Sequence, residues 1–282
     1  PLVIYEISPL DNDSAEIVWE WHIWDHLIQD VDSSLNNYGI IGNSPELVDI
    51  NIGQFTNPNE GDWLHTNAIA YNEDLEQIVF SSRHLNEIFI IDHSTTTSEA
   101  SGHVGGNSNK GGDILYRWGN PMNYGRGTSN DQKLSAQHGV HWIPDGFPGE
   151  GKLLIFNNNP IDTIPNSNEF GNSSVIEFEP PIDNQGNYFL NTDSVYSPEN
   201  YDLVFGGNDT FFSSFQSGAY RLPNGNTFIT VSEEKRLFEI DDYEIVWECS
   251  TEQLSELMGY TARAKKYSLS YISDIEGDIY ID

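Results

Sequence analysis

The sequence predicts an all-β protein made of repeated four-stranded antiparallel units, the organisation of a β-propeller, and three observations carry that reading. Short apolar runs recur between turns rich in Asn, Asp and Gly, with no convincing helical period. Those runs fall into groups of four. The pentapeptide Glu16-Ile17-Val18-Trp19-Glu20 returns unchanged as Glu244-Ile245-Val246-Trp247-Glu248, roughly 228 residues later, or three periods of about 76.

Taken in order, Val3 to Ile7 followed by Glu16 to Glu20 reads as a hairpin, and Arg236 to Ile240 followed by Glu244 to Glu248 reads as its second copy. Looser relatives stand between them, at Asp113 to Trp118 and Ser174 to Glu179. The first complete unit comprises Ala68 to Tyr71, Ile78 to Ser81, Glu87 to Ile91 and Ile114 to Trp118. A second runs through Gly139 to Ile143, Lys152 to Phe156, Val175 to Phe178 and Tyr201 to Phe205. The third is the tidiest: Gly218 to Leu222, the turn Pro223-Asn224-Gly225-Asn226, then Thr227 to Val231, Leu237 to Ile240 and Glu244 to Trp247.

His65, His138 and Gln216 hold comparable places in successive units, spaced by about 73 and about 78 residues. Propeller blades are usually shorter, about 40–50 residues, so the excess is assigned to long loops at Thr95 to Gly112, Met122 to Ser135 and Pro180 to Asn200. The whole of residues 1–282 is read as one propeller domain holding close to four blades' worth of chain. Pro1 enters mid-blade at a third strand, and Tyr260 to Asp282 looks like the start of another blade. The expectation is therefore a piece of a longer, incomplete propeller. A β-sandwich also suits short strands and turns, but it does not require the repeat.

Charge narrows the partners. Asp and Glu number 44 against 12 Lys and Arg, a net charge of −32. Such a surface repels polyphosphate and anionic lipid over a Debye length of about 8–10 Å, which excludes nucleic-acid and membrane-surface partners. The aromatic share of 12% belongs to a folded chain, since acidic disordered tails are poor in aromatics. The single Cys249 allows no internal disulfide, and no apolar run is long enough to span a membrane. The oligomeric state is left open.

Candidate chemistry gathers at the starts of the repeated units. In Trp63-Leu64-His65-Thr66-Asn67-Ala68 a strand places His65 and Asn67 on one side at period two. Arg83 follows the second strand of the same unit, and His138 opens the next unit in Gln137-His138-Gly139-Val140-His141-Trp142. The innermost strands of a propeller line its channel, so these four side chains can converge. The plain alternative is that His65 bonds a neighbouring blade and Arg83 pairs a carboxylate. His22, His26, His93 and His103 show no recognisable partner and are set aside. No metal is expected, and no cofactor.

Five motifs, Asp62-Trp63-Leu64-His65-Thr66-Asn67-Ala68, Ser81-Ser82-Arg83-His84, Gln137-His138, Phe156-Asn157-Asn158 and Arg221-Leu222-Pro223-Asn224-Gly225-Asn226, stand in an order that resembles the bacterial arylsulfate sulfotransferases. The similarity covers roughly Gly61 to Glu248. The resemblance implies a six-bladed propeller, exported to the periplasm or secreted, that moves a sulfuryl group from an aryl sulfate to a phenol through a sulfated histidine, without a nucleotide donor. By position, His138 would be the nucleophile, with His65, Asn67 and Arg83 binding and stabilising the transferring group. Charge spreading over three sulfuryl oxygens in an in-line transition state calls for such a guanidinium and an amide N–H. The family's further essential histidine, from an earlier blade, would fall upstream of Pro1. Asn157 stands where the family more often has Asp.

Trp63 and Trp142 flank the candidate histidines, and either stacking on an aromatic substrate or inter-blade packing accounts for them. Trp19, Trp118 and Trp247 occupy repeated positions and are read as core. Asp11-Asn12-Asp13-Ser14 and Asp241-Asp242 lack the spacing of a calcium loop and are read as solvated turns. The competing function is a secreted, non-catalytic propeller used for binding or adhesion.

Overall fold

Each apolar run singled out in the sequence forms a strand in the computed structural model, which describes residues 2–52, 61–158, 172–190, 194–207, 210–251 and 260–267. A leading antiparallel hairpin joins β1 (Val3–Pro9) to β2 (Ala15–His22), and a short parallel pair joins β3 (Leu27–Ile28) to β4 (Val48–Asp49). Three four-stranded antiparallel meanders follow. The first is β5 (Thr66–Asn72), β6 (Gln77–Ser82), β7 (Glu87–Asp92) and β8 (Tyr116–Trp118). The second is β9 (His138–Trp142), β10 (Leu153–Asn157), β11 (Ser174–Phe178) and β12 (Asp202–Gly206). The third is β13 (Gly218–Arg221), β14 (Thr227–Val231), β15 (Arg236–Asp241) and β16 (Glu244–Ser250).

These strands alternate faces, and in the middle strands both faces are buried. Along β6, Ile78 and Phe80 join one core cluster while Val79 joins another. One cluster thus fills the space between the β1–β2 hairpin and the first four-stranded sheet, with Trp19, Trp21, Phe80 and Phe89. The next lies between the first and second sheets, and the third, with Phe156, Phe205, Phe211 and Phe238, between the second and third. Sheets stacked in this way explain why the strands read as near-continuous apolar runs. Their first strands also meet, β5 against β9 and β9 against β13.

Among the described residues helix is confined to short pieces, of which α1 (Thr97–Ala100) is held by a reciprocal Thr96/Glu99 capping box. Among the described residues no helix is long and apolar enough to cross a membrane. The Asp11 turn is closed on itself, its carboxylate accepting from Ser14 Oγ at 2.6 Å.

Three expectations need correction. Trp247 is 41% exposed on β16, because the outer face of the third sheet carries little beyond Leu222, Phe228, Leu237 and Ala264. Residues 260–267 form no strand; they lie across the third sheet through Ser217 N to Ala262 O and Ser232 Oγ to Thr261 O. Residues 268–282 of the expected further blade lie outside the described residues. His65 precedes β5 with a left-handed backbone, φ 48°, so strand alternation does not orient it.

Candidate active site

The start of β9 is fastened to the first sheet by Gln137, a fully buried amide whose Nε2 faces Ser81 Oγ, Ser82 O and Glu87 O at 2.9–3.0 Å. Asn67 on β5 completes this seam by donating to Gln137 O at 2.8 Å. That uses one of the two Asn67 N–H bonds, and its buried Oδ1 has no partner among the described residues. Behind the seam, Glu87 and Arg117, both fully buried, form a two-point pair with distances of 2.6 and 2.9 Å. Burial pushes the Glu87 carboxyl upward while Arg117 and Asn123 draw it back.

His138, the first residue of β9, is 5% exposed. Its Nδ1–H donates to Asn158 Oδ1 at 2.8 Å and also faces Ala136 O at 3.0 Å. The Asn158 amide cannot turn, because its Nδ2 donates to Ser213 O and Gln216 O. With Nδ1 committed as donor, Nε2 carries the lone pair, which accepts a 3.2 Å bond from the Gln216 N–H. Gly139 follows with φ 71°, a conformation that brings β9 against Gly218 of β13 and that a side chain would strain. Burial lowers the His138 pKa to about 4, helped by the charges of Arg83 and His65 and opposed by the Asn158 and Ala136 hydrogen bonds. The ring is neutral at pH 7.

Arg83 follows β6, half-buried, and one Nη2 makes a long 3.4 Å contact with Ser214 O, on the same 213–216 segment that covers His138. Among the described residues it pairs with no carboxylate, and the rest of its guanidinium fork is available. His65 is held by Asp62, whose Oδ2 lies 2.5 Å from Nδ1. Burial would raise the Asp62 carboxyl, but the His65 hydrogen bond and the charges of His65 and His84 hold it below its ordinary value. The ring of His84 lies 4.9 Å from that of His65, and Asp62, His65 and His84 present ligand-type atoms within 4.8 Å of one another.

The four candidates are linked around the junction of the first strands: Asn67 and His138 through the Gln137 seam, Arg83 through Ser214 O on the segment that covers His138, and His65 through its carbonyl, which accepts from the Arg83 N–H at 3.2 Å. The flanking tryptophans separate. Trp63 borders an open cleft of about 540 Å³ with Trp24, Ile50 and His65, its indole N–H donating to Ile52 O. Trp142, 7% exposed, packs in the cluster between the first and second sheets, which leaves it no open face for a substrate; packing accounts for it.

Several site residues carried no role in the sequence. Asp62 sits three residues before His65, a spacing that suits a His–Asp pair. Asn158 lies in the quoted Phe-Asn-Asn segment, yet only the structure shows that it orients His138. Arg263 had no signal at all; residues 260–267 carry it back so that Nη2 donates to Asn67 O at 2.5 Å.

No curated protein matches the chain. Among solved structures, virginiamycin B lyase from Staphylococcus aureus, in selenomethionine form, is similar at 11% identity and a TM-score of 0.29, over 68% of this chain and 57% of that one. The chain thus spans a little over half the length of that protein. The family model described as arylsulfotransferase (ASST) matches residues 5–235, a stretch that contains His65, Asn67, Arg83, His138 and Asn158, and the chain belongs to the arylsulfotransferase family.

Proposed function

We propose that the protein transfers a sulfuryl group from an aryl sulfate to a phenol through a sulfohistidine at His138. The observation that carries this reading is the state of His138: a buried, neutral ring with Nδ1–H fixed on Asn158 and a lone pair on Nε2. Nε2 attacks sulfur, an N–S bond forms, and the S–O bond breaks with its electron pair on the departing phenolate oxygen. Arg83 and the second N–H of Asn67 stabilise the charge on the sulfuryl oxygens. His65, oriented by Asp62, gives a proton to the departing oxygen and later takes one from the acceptor phenol as it attacks sulfur. Ping-pong kinetics follow.

The same proposal extends to the architecture and setting. The three stacked sheets are consecutive blades of a six-bladed propeller, with their first strands about the axis, and the outer face of the third sheet, where Trp247 is exposed beside Phe228, is one that a further sheet would cover. The protein acts in the periplasm or outside the cell.

A second reading has one observation in its favour. The Gln216 N–H already occupies the Nε2 lone pair, as it would in a site that binds a sulfated ligand without turnover. Incubation of the protein with an aryl sulfate and a phenolic acceptor separates the two. Catalysis requires acceptor-dependent phenol release, a sulfo-adduct on His138 by mass spectrometry, and a loss of at least about 10³-fold in His138→Ala. Binding without an adduct, or turnover retained in that variant, overturns the catalytic reading.

A further inference from the structure

A second group of convergent side chains lies away from the first-strand junction, on residues that the sequence had set aside. His26 Nδ1 is 2.8 Å and His103 Nδ1 2.7 Å from the same atom, Asp113 Oδ1, and these ligand-type atoms all lie within 4.8 Å of one another. The tautomer of His26 is the telling detail. Its Nε2 is 2.9 Å from Ala100 O, which only accepts, so Nε2 carries the hydrogen. In a neutral ring Nδ1 then presents a lone pair to a carboxylate oxygen, two acceptors face to face inside the protein. A cation at their meeting point turns that repulsion into binding.

The surroundings hold this arrangement rigidly. Trp21 stacks on His26 with the planes 2° apart, and its indole N–H donates to Gly112 O at 2.7 Å. A Cβ at Gly112 would stand 2.0 Å from Ala100 O and 2.7 Å from His26 Nε2, so only glycine allows this approach. A backbone carbonyl on the far nitrogen of a histidine is the second contact that metal-bound histidines favour, because it fixes which nitrogen faces the ion. The His26 side chain is 0% exposed and Asp113 9%, whereas His103 is 60% exposed, so the group opens to water on one side.

We propose that His26 Nδ1, His103 Nδ1 and Asp113 Oδ1 bind a divalent first-row metal ion of the zinc class, with water in the remaining position. Two imidazoles and one carboxylate suit such a borderline ion better than calcium or magnesium, which take oxygen ligands. The ion ties the Ile23–His26 turn to the loop that carries α1 and His103, and thereby staples that long loop to the leading hairpin. This assignment reverses the expectation of no metal, and it does not depend on the reaction proposed at His138. The Asp62–His65–His84 group is the weaker candidate, since His84 Nδ1 is already engaged by Asp62 O at 2.9 Å.

The test is calorimetric titration of zinc into chelator-stripped, dialysed protein, with cobalt substituted in parallel to read coordination from its visible spectrum. One site with the spectrum of a four-coordinate ion is expected. His103→Ala, a change at an exposed side chain, and Asp113→Asn should each weaken binding by about 10-fold or more, while a His65→Ala/His84→Ala double variant binds as the wild type does. Absence of zinc binding, or affinity unchanged in His103→Ala, overturns the proposal in favour of a proton-linked His–Asp cluster. Binding lost in the double variant overturns it in favour of the other group.

Discussion

His138 and His26 are both buried imidazoles held at Nδ1 by a side-chain oxygen 2.8 Å away, and they differ in whether that oxygen is neutral or charged. Asn158 offers His138 an amide, which orients the ring and commits Nδ1 as donor without adding negative charge. Burial is then uncompensated, the ring stays neutral, and its lone pair stands at Nε2. Asp113 offers His26 a carboxylate, while Ala100 O locks the other nitrogen, so the position collects a cation. On the two proposals, one oxygen-to-nitrogen difference between the partners separates a nucleophile from a ligand.

The largest consequence is thermodynamic. Because the folded pKa of His138 is lowered to about 4 from an ordinary 6.5, the unfolded chain binds more protons between those values, and stability falls as pH falls through that window. The full shift corresponds to about 3 kcal/mol. Comparing urea melts of wild type and His138→Asn from pH 7 to pH 4 isolates it: wild type should lose about 3 kcal/mol more than the variant, with the loss complete just below pH 4. Parallel curves would show that the ring is not held neutral by burial.

Exchanging the partner is the next step. Asn158→Asp gives His138 the carboxylate that His26 has, and an adjacent opposite charge raises a histidine pKa by about 1–3 units. The acid limb of sulfuryl transfer should move up by that amount, leaving the rate at pH 5 about tenfold lower relative to its plateau. The calculation is direct, since a ring titrating near 4 is mostly neutral at pH 5 and one titrating near 6 is mostly charged. An unmoved acid limb would place the titrating nucleophile elsewhere.

How far each site was legible in the sequence follows from what the sequence encodes. The strands were, because alternation and turn chemistry are local: Leu237 to Ile240 and Thr227 to Val231 fall inside β15 and β14. His65, Asn67, Arg83 and His138 stood out because they mark the starts and ends of repeated strands, although His65 owes its position to a left-handed residue that no alternation foretells. The role of Asn158 needed the distance across β9 and β10. His26, His103 and Asp113 were illegible for a different reason. They are joined by a long irregular loop returning to a hairpin, so no spacing in the sequence resembles a ligand set. Trp142 is packed and Trp247 exposed because burial depends on which sheet face has a neighbour, and that is a property of the stack.

The smallest effect tests both regions with one variable, ionic strength. A net charge of −32 repels the anionic sulfate ester that the proposed reaction would bring to His138 and attracts the dication that His26 and Asp113 would hold. Raising salt from 0.01 to 0.15 M shortens the Debye length from about 30 to about 8 Å, so the long-range part of both forces fades. The KM for an aryl sulfate should fall a few-fold while zinc affinity also falls a few-fold, which for the protein means opposite salt slopes at two histidines of one chain. Arg83 and Arg263 bear on the first slope, since both guanidinium groups stand beside the Gln137 seam and attract the ester at short range. If KM instead rises with salt, capture is governed by those two arginines rather than by the acidic surface. Arg263→Gln should then restore the negative slope.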